Sequence, residues 1–177
     1  KIFDYLFPLP RSIMGKGYSD SLDYLKKFIP FKIYKFKTGT KIYDWKIPKE
    51  WQIKKAFIEF NGKKILDYKN NNLHVVNYSS PINKKINLKD LKKRIFFLKD
   101  QPTAIPYVTS YYKKNWGFCI KYSKYRKLKK GIYKTVIDSK FINGYLKIGL
   151  ANLKGKSNKI FLISSYLCHP SMANNEL

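Results

Sequence analysis

A chain of 177 residues that is 44% hydrophobic and 17% aromatic can bury a real core, which excludes a disordered polypeptide and suits one domain or two small ones. Its formal charge of +26, from 37 Lys+Arg against 11 Asp+Glu, invites a nucleic-acid reading. The distribution speaks against a specific one. The cations are mostly Lys and spread along the whole length, and the base-reading Arg occurs only as Arg11, Arg94 and Arg126. Weak, salt-sensitive phosphate binding is what the charge alone predicts. Cys119 and Cys168 each sit in an apolar run, as buried thiols do, and build no disulfide framework. No signal peptide is visible and no apolar run is long enough to span a membrane, so the expectation is a cytoplasmic protein without membrane contact. The chain opens on Lys1 and stops in mid-motif, so a fragment of a longer protein is expected.

In chain order, residues 2–10 form a short apolar segment, followed by a loop at Gly15 and Gly17, where glycine allows a tight turn. A helix capped near Ser19 or Asp20 runs through Leu22, Tyr24, Leu25 and Phe28 and ends before Pro30. The alternating run 31–36 and the run 41–47 read as a hairpin around Thr38-Gly39-Thr40. Residues 52–60 and 63–68 flank Asn61-Gly62, the sharpest hairpin signal in the chain. His74 to Tyr78 reads as a short strand. Asn87 begins a helix with Leu88, Leu91, Ile95 and Leu98 as its apolar stripe. Residues 116–120 read as a strand and 121–130 as a short basic helix. Two strands, 132–137 and 145–151, flank Asn143-Gly144. An apolar strand, 160–167, closes the list. The expected organisation is an α/β body, residues 1–42 and 113–177, interrupted by a β-rich insertion over 43–112 whose far boundary is soft and extends as late as Asp138.

The chemistry gathers at the end. The last strand delivers His169 into a polar tail holding Asn174, Asn175 and Glu176. Ligands of open α/β sheets collect outside the carboxyl ends of strands. An imidazole and a carboxylate are part of the ligand set of catalytic zinc. The alternative is a histidine satisfied by backbone hydrogen bonds and a solvated carboxylate. Cys168 and His169, as neighbours on a strand, point to opposite faces and make a poor dyad. His74 has no acidic or thiol cluster beside it in the sequence and reads as structural. Arg11 is a candidate for a substrate carboxylate, with a helix cap or a salt bridge as the alternatives. The run Tyr107 to Tyr112 reads either as the hydroxyl-rich lining of a cleft or as core plus rim.

The motif Ser165-Tyr-Leu-Cys-His-Pro-Ser-Met-Ala-Asn-Asn-Glu-Leu177 resembles a family of bacterial aminopeptidase-like proteins of the zinc-peptidase type, often encoded near polysaccharide-biosynthesis genes. Further stretches carry the same resemblance: Phe7-Pro-Leu-Pro-Arg-Ser-Ile-Met-Gly-Lys-Gly17, Asp44-Trp-Lys-Ile-Pro-Lys-Glu-Trp51, Leu73-His-Val-Val-Asn-Tyr-Ser79, Gln101-Pro-Thr-Ala-Ile-Pro-Tyr-Val-Thr-Ser-Tyr-Tyr112 and Trp116-Gly-Phe-Cys119. The resemblance implies a zinc-aminopeptidase-like α/β domain, present in part and interrupted by a small β-rich domain, and often a C-terminal winged helix. It implies His169 as the first metal ligand, with Glu176 and Asn175 beside it. Better-known zinc aminopeptidases carry a metal-bridging Asp where Asn175 stands, so a one-metal or altered site is the expectation. The implied reaction is amide hydrolysis by zinc-activated water on a peptide or an amide-containing small substrate, with a homo-oligomer allowed. The rival is a non-catalytic binding or regulatory protein that keeps the fold. The remaining ligands and the general base would lie beyond Leu177, so this chain alone should be inactive.

Overall fold

The computed structural model of the chain describes residues 1–171. It is a mixed α/β structure, mostly strands with few helices. In chain order the elements are α1 (Ile2–Leu6), α2 (Lys16–Leu25), β1 (Lys32–Lys37), β2 (Lys41–Ile42), β3 (Trp45–Lys46), β4 (Glu50–Phe60), β5 (Lys63–Asp67), β6 (Ile82–Asn87), α3 (Leu88–Lys92), β7 (Ile95–Phe96), β8 (Phe118–Cys119), α4 (Tyr122–Tyr125), β9 (Ile132–Ile142) and β10 (Tyr145–Leu150). They fall into two compact units, residues 1–50 with 142–177, and residues 51–141.

In the first unit α2 is capped by Gly15 at φ 117° and starts earlier than expected, so Ser19 and Asp20 lie inside the helix rather than at its cap. The Ser19 hydroxyl donates to the Gly15 carbonyl and accepts from Lys147 Nζ at 2.7 Å, and Lys16 pairs with Asp20 at 2.7 Å. The expected hairpin of 31–36 with 41–47 does not form. β1 pairs antiparallel with β10, Lys37 opposite Tyr145. The reason lies at the strand end, where the Thr38 amide donates to the Gly144 carbonyl at 3.0 Å and the Gly144 amide to the Thr38 hydroxyl at 2.9 Å. Residues 41–46 fold back on themselves as β2 and β3, through Tyr43 at φ 53°. The apolar core of this unit is Leu6, Met14, Leu22, Ile47 and Leu167.

The second unit is built on a four-stranded sheet in the order β5-β4-β9-β6. The β4–β5 hairpin forms as the sequence demands, with Asn61 at φ 49° and Gly62 at φ 75° making the turn. β9 shows the period of two expected of a half-buried strand: Tyr133, Thr135, Ile137 and Ser139 are all buried. Phe60 stacks on Tyr133 with centroids 4.6 Å apart. β6, Ile-Asn-Lys-Lys-Ile-Asn, gives little strand signal because its polar side chains sit on an edge strand, paired only with β9.

Three further expectations are corrected. His74 lies in a 3₁₀ turn, Asn72–His74, and residues 75–77 make only isolated bridges. The Asn87 cap is present, its side chain accepting from the Asp90 amide at 2.9 Å, but α3 ends at Lys92. Ile95 leaves the helical stripe because β7 pairs in parallel with β8, Ile95 opposite Phe118. Finally, residues 160–167 form no strand, and Ile160 to Ile163 lie open to solvent, Ile163 at 93% exposure. Among the described residues no strand lies beside them, and a lone apolar segment without ladder partners has nothing to fix it as a strand.

Candidate functional site

The site is assembled in the first unit from the two ends of the chain. Between α1 and α2 the segment Pro8-Leu9-Pro10-Arg11 turns sharply, the Arg11 amide donating to the Leu9 carbonyl at 2.8 Å. α2 closes tightly on this turn. A Cβ on Gly17 would stand 2.5 Å from the Pro10 carbonyl oxygen, so only glycine lets the helix approach. The Ser12 hydroxyl donates to the Met14 carbonyl at 2.6 Å and pins the loop beyond.

This framework presents Arg11, which is 2% exposed. Its Nη1 donates to the Leu6 carbonyl at 3.0 Å, while Nε and Nη2 both donate to the carbonyl of His169, at 3.0 and 2.7 Å. A planar guanidinium delivers two parallel donors to one oxygen, which an ammonium cannot do. The Phe7-to-Gly17 stretch and the His169 stretch, remote in sequence, therefore meet in space. Leu167 and Pro170 are buried, Cys168 and His169 are half-buried, and the His169 ring lies 5.0 Å from that of Tyr166. Ser171 takes a left-handed conformation, φ 53°. Burial pushes the phenol of Tyr18 upward, and Cys168 adds to the rise.

Of the expected ligands, His169 lies within the described residues, half-buried beside Tyr166. Asn175 and Glu176 lie outside the described residues. Among the described residues no three His, Cys, Asp or Glu come together, so they hold no complete ligand set for an ion. The other histidine has a structural place. His74 is buried, its Nδ1 lies 2.9 Å from the Cys119 carbonyl, and burial lowers its pKa, helped by Lys124 and Lys121. Burial also pushes the Cys119 thiol up to about 12, far from a reactive thiolate.

The residue that sequence reasoning underrated in the second unit is Ser79. Its carbonyl accepts from the Trp51 indole at 2.9 Å and the Ser139 hydroxyl at 2.8 Å, and its own hydroxyl donates to the Val76 carbonyl at 2.6 Å. Nothing in its local sequence announces this, because both donors come from strands far along the chain.

The chain is 42% identical, over 99% of its length, to a Clostridium acetobutylicum protein named "Putative polysaccharide biosynthesis protein with aminopeptidase-like domain". It spans 41% of that curated relative. A solved structure, titled a putative peptidase from the same organism, superposes with a TM-score of 0.91 at 42% identity, covering 98% of this chain and 41% of that one. No helix among the described residues is long and apolar enough to cross a membrane. The profile of the family described as "Domain of unknown function (DUF2172)" matches residues 50–140, just over half of the chain, and the chain belongs to that family.

Proposed function

We propose that this chain is the N-terminal part of a zinc-dependent aminopeptidase-like hydrolase that cleaves an amide bond. In this reading residues 1–50 and 142–177 are the start of the peptidase-like α/β domain, and the unit 51–141 is an insertion. His169, Asn175 and Glu176 begin the metal site, and the rest of the longer protein completes it. Zinc, when bound, would acidify a water and polarise the substrate carbonyl. The part played by this chain's own residues is positional. Arg11 fixes the backbone carbonyl of His169, and with it the direction from which the imidazole enters the site. Residues 160–167 become a strand once neighbours from the remaining chain cover them.

The observation that carries this reading is the doubly bonded His169 carbonyl, within a chain 42% identical to an aminopeptidase-like relative. Metal analysis of the full-length protein, with His169→Ala beside it, tests the reading. Stoichiometric zinc that falls severalfold in the variant, together with chelator-sensitive release of an amino-terminal residue, is expected. Full-length protein that purifies without zinc and recovers no peptidase activity when zinc is added would overturn it.

A second reading, a non-catalytic binding or regulatory protein on the same fold, draws on Asn175, a neutral and poorer zinc ligand than the Asp of better-known enzymes, and on the charge of +26. Zinc binding without turnover on any peptide would select it.

A further inference from the structure

The second unit carries a cavity of about 450 Å³, within the range that holds small ligands, roughly 300–1,000 Å³. Its floor and walls are the rings of Tyr78, Tyr111, Tyr112 and Phe141, and its rim carries Lys113 and Lys114. No carboxylate is among the residues that line it. The composition is selective in two ways. The aromatic faces present negative π-density, which favours the slightly positive C–H face of a saturated ring. The two lysines, in a lining without a carboxylate, favour an anion.

The walls are held in advance. The 107–111 stretch is tied to residues 77–78 by the Asn77 amide to the Val108 carbonyl at 2.8 Å, the Ser110 amide to the Asn77 carbonyl at 2.9 Å, and the Ser110 hydroxyl to the Tyr78 carbonyl at 3.0 Å. Tyr107 and Tyr111 share a hydrogen bond between their hydroxyls at 2.8 Å. Tyr111 meets Tyr78 edge-on at 4.7 Å, and Phe141 lies 6.0 Å from Tyr78. Tyr78 itself is a bulky residue at φ 66°, a strained conformation that the surrounding bonds must enforce. Tyr112 differs from the rest. It is 82% exposed at the mouth, so its ring is spent on no core. An aromatic ring left in water beside a pre-built aromatic pocket and two lysines has the placement of a platform for a bound ring.

We propose that this cavity binds an acidic sugar: a pyranose stacked on Tyr112, whose ring stands edge-on to Tyr111, with its carboxylate at Lys113 and Lys114. The rings recognise the sugar's C–H face, and the lysines recognise its charge. This is independent of the metal site, since every residue involved belongs to the 51–141 unit.

The test titrates the full chain with methyl glucuronide, methyl glucoside and inorganic phosphate at about 0.15 M salt, where loose phosphate attraction is screened. Saturable glucuronide binding, at least tenfold tighter than glucoside or phosphate, is expected. Tyr112→Ala should weaken it roughly tenfold, while Tyr112→Phe, which keeps the ring, should bind nearly as the native chain does. Lys113→Ala/Lys114→Ala should bring the glucuronide down to the level of the glucoside. Tyr112 and both lysines are rim residues, so circular dichroism should show these variants folded. Absence of saturable glucuronide binding would overturn the proposal. So would phosphate binding as tight as glucuronide with no effect of Tyr112→Ala, which describes an anion patch and not a sugar site.

Discussion

Arg11 and His169 stand 158 positions apart in sequence, yet two nitrogens of the arginine close on the one carbonyl oxygen of the histidine. The contact is between a charged donor and the backbone, so it fixes where the chain lies. Hydrogen bonds from a charged group contribute about 1.5–3 kcal/mol each. Arg11→Ala should destabilise the chain by roughly 3 kcal/mol or more, read as a lowered denaturant midpoint. Arg11→Lys keeps the charge but cannot bond two ways to one oxygen while also reaching Leu6, and should recover less than half of the loss. Full recovery by lysine would show that charge alone matters.

Trp51 and Ser139 donate to the same Ser79 carbonyl. Because that oxygen has two lone pairs, losing one donor leaves the other in place. Trp51→Phe should therefore cost only about 1 kcal/mol from the lost hydrogen bond, and Ser139→Ala a similar amount. The double variant should cost more than the sum, since it strands a buried carbonyl. Urea denaturation of the four proteins closes the cycle.

Gly62 is the simplest test of turn chemistry. A Cβ there meets nothing within 4 Å, yet φ is 75°. Gly62→Ala should therefore cost about 1 kcal/mol from backbone conformation alone, with no clash to relieve. A neutral result in thermal unfolding would mean the turn shifts type.

His74 sets a pH dependence. Its pKa lies below the ordinary 6.5 because burial disfavours the imidazolium. Between its folded and unfolded pKa values the unfolded chain binds more protons, so stability falls as pH drops below 6.5 and is complete above it. The denaturant midpoint should fall between pH 7.5 and 5, and His74→Gln should flatten that slope. An unchanged slope in the variant would assign the dependence to other groups.

The run 160–163 separates the chain from the longer protein. Phe161 and Ile163 are about nine-tenths exposed, so Ile163→Lys should leave the stability of this chain within ~0.5 kcal/mol. In the full-length protein, where we propose that the run becomes a covered strand, the same change should cost 2 kcal/mol or more, on the order of a buried apolar side chain. Equal effects in both would show the run has no such partner.

Features that depend on neighbours a few residues away were legible in the chain alone. Asn61-Gly62 wrote the β4–β5 turn because positive φ at both positions is a local property. Asn87 wrote its cap because the amide it satisfies is three residues on. The motif around His169 pointed to the aminopeptidase-like relatives from its residues alone. Pairings between distant segments were settled by the folded chain. β1 has the alternation of a hairpin strand, but whether it joins 41–47 or β10 depends on Thr38 meeting Gly144, and no local signal carries that. Tyr107 to Tyr112 could be lining or core, and the choice was made by Ser110 anchoring to the 77–78 backbone. The apolar run 160–167 shows the same division: its composition fixes that it prefers burial, while becoming a strand requires partners, because a strand's hydrogen bonds are all made to another segment.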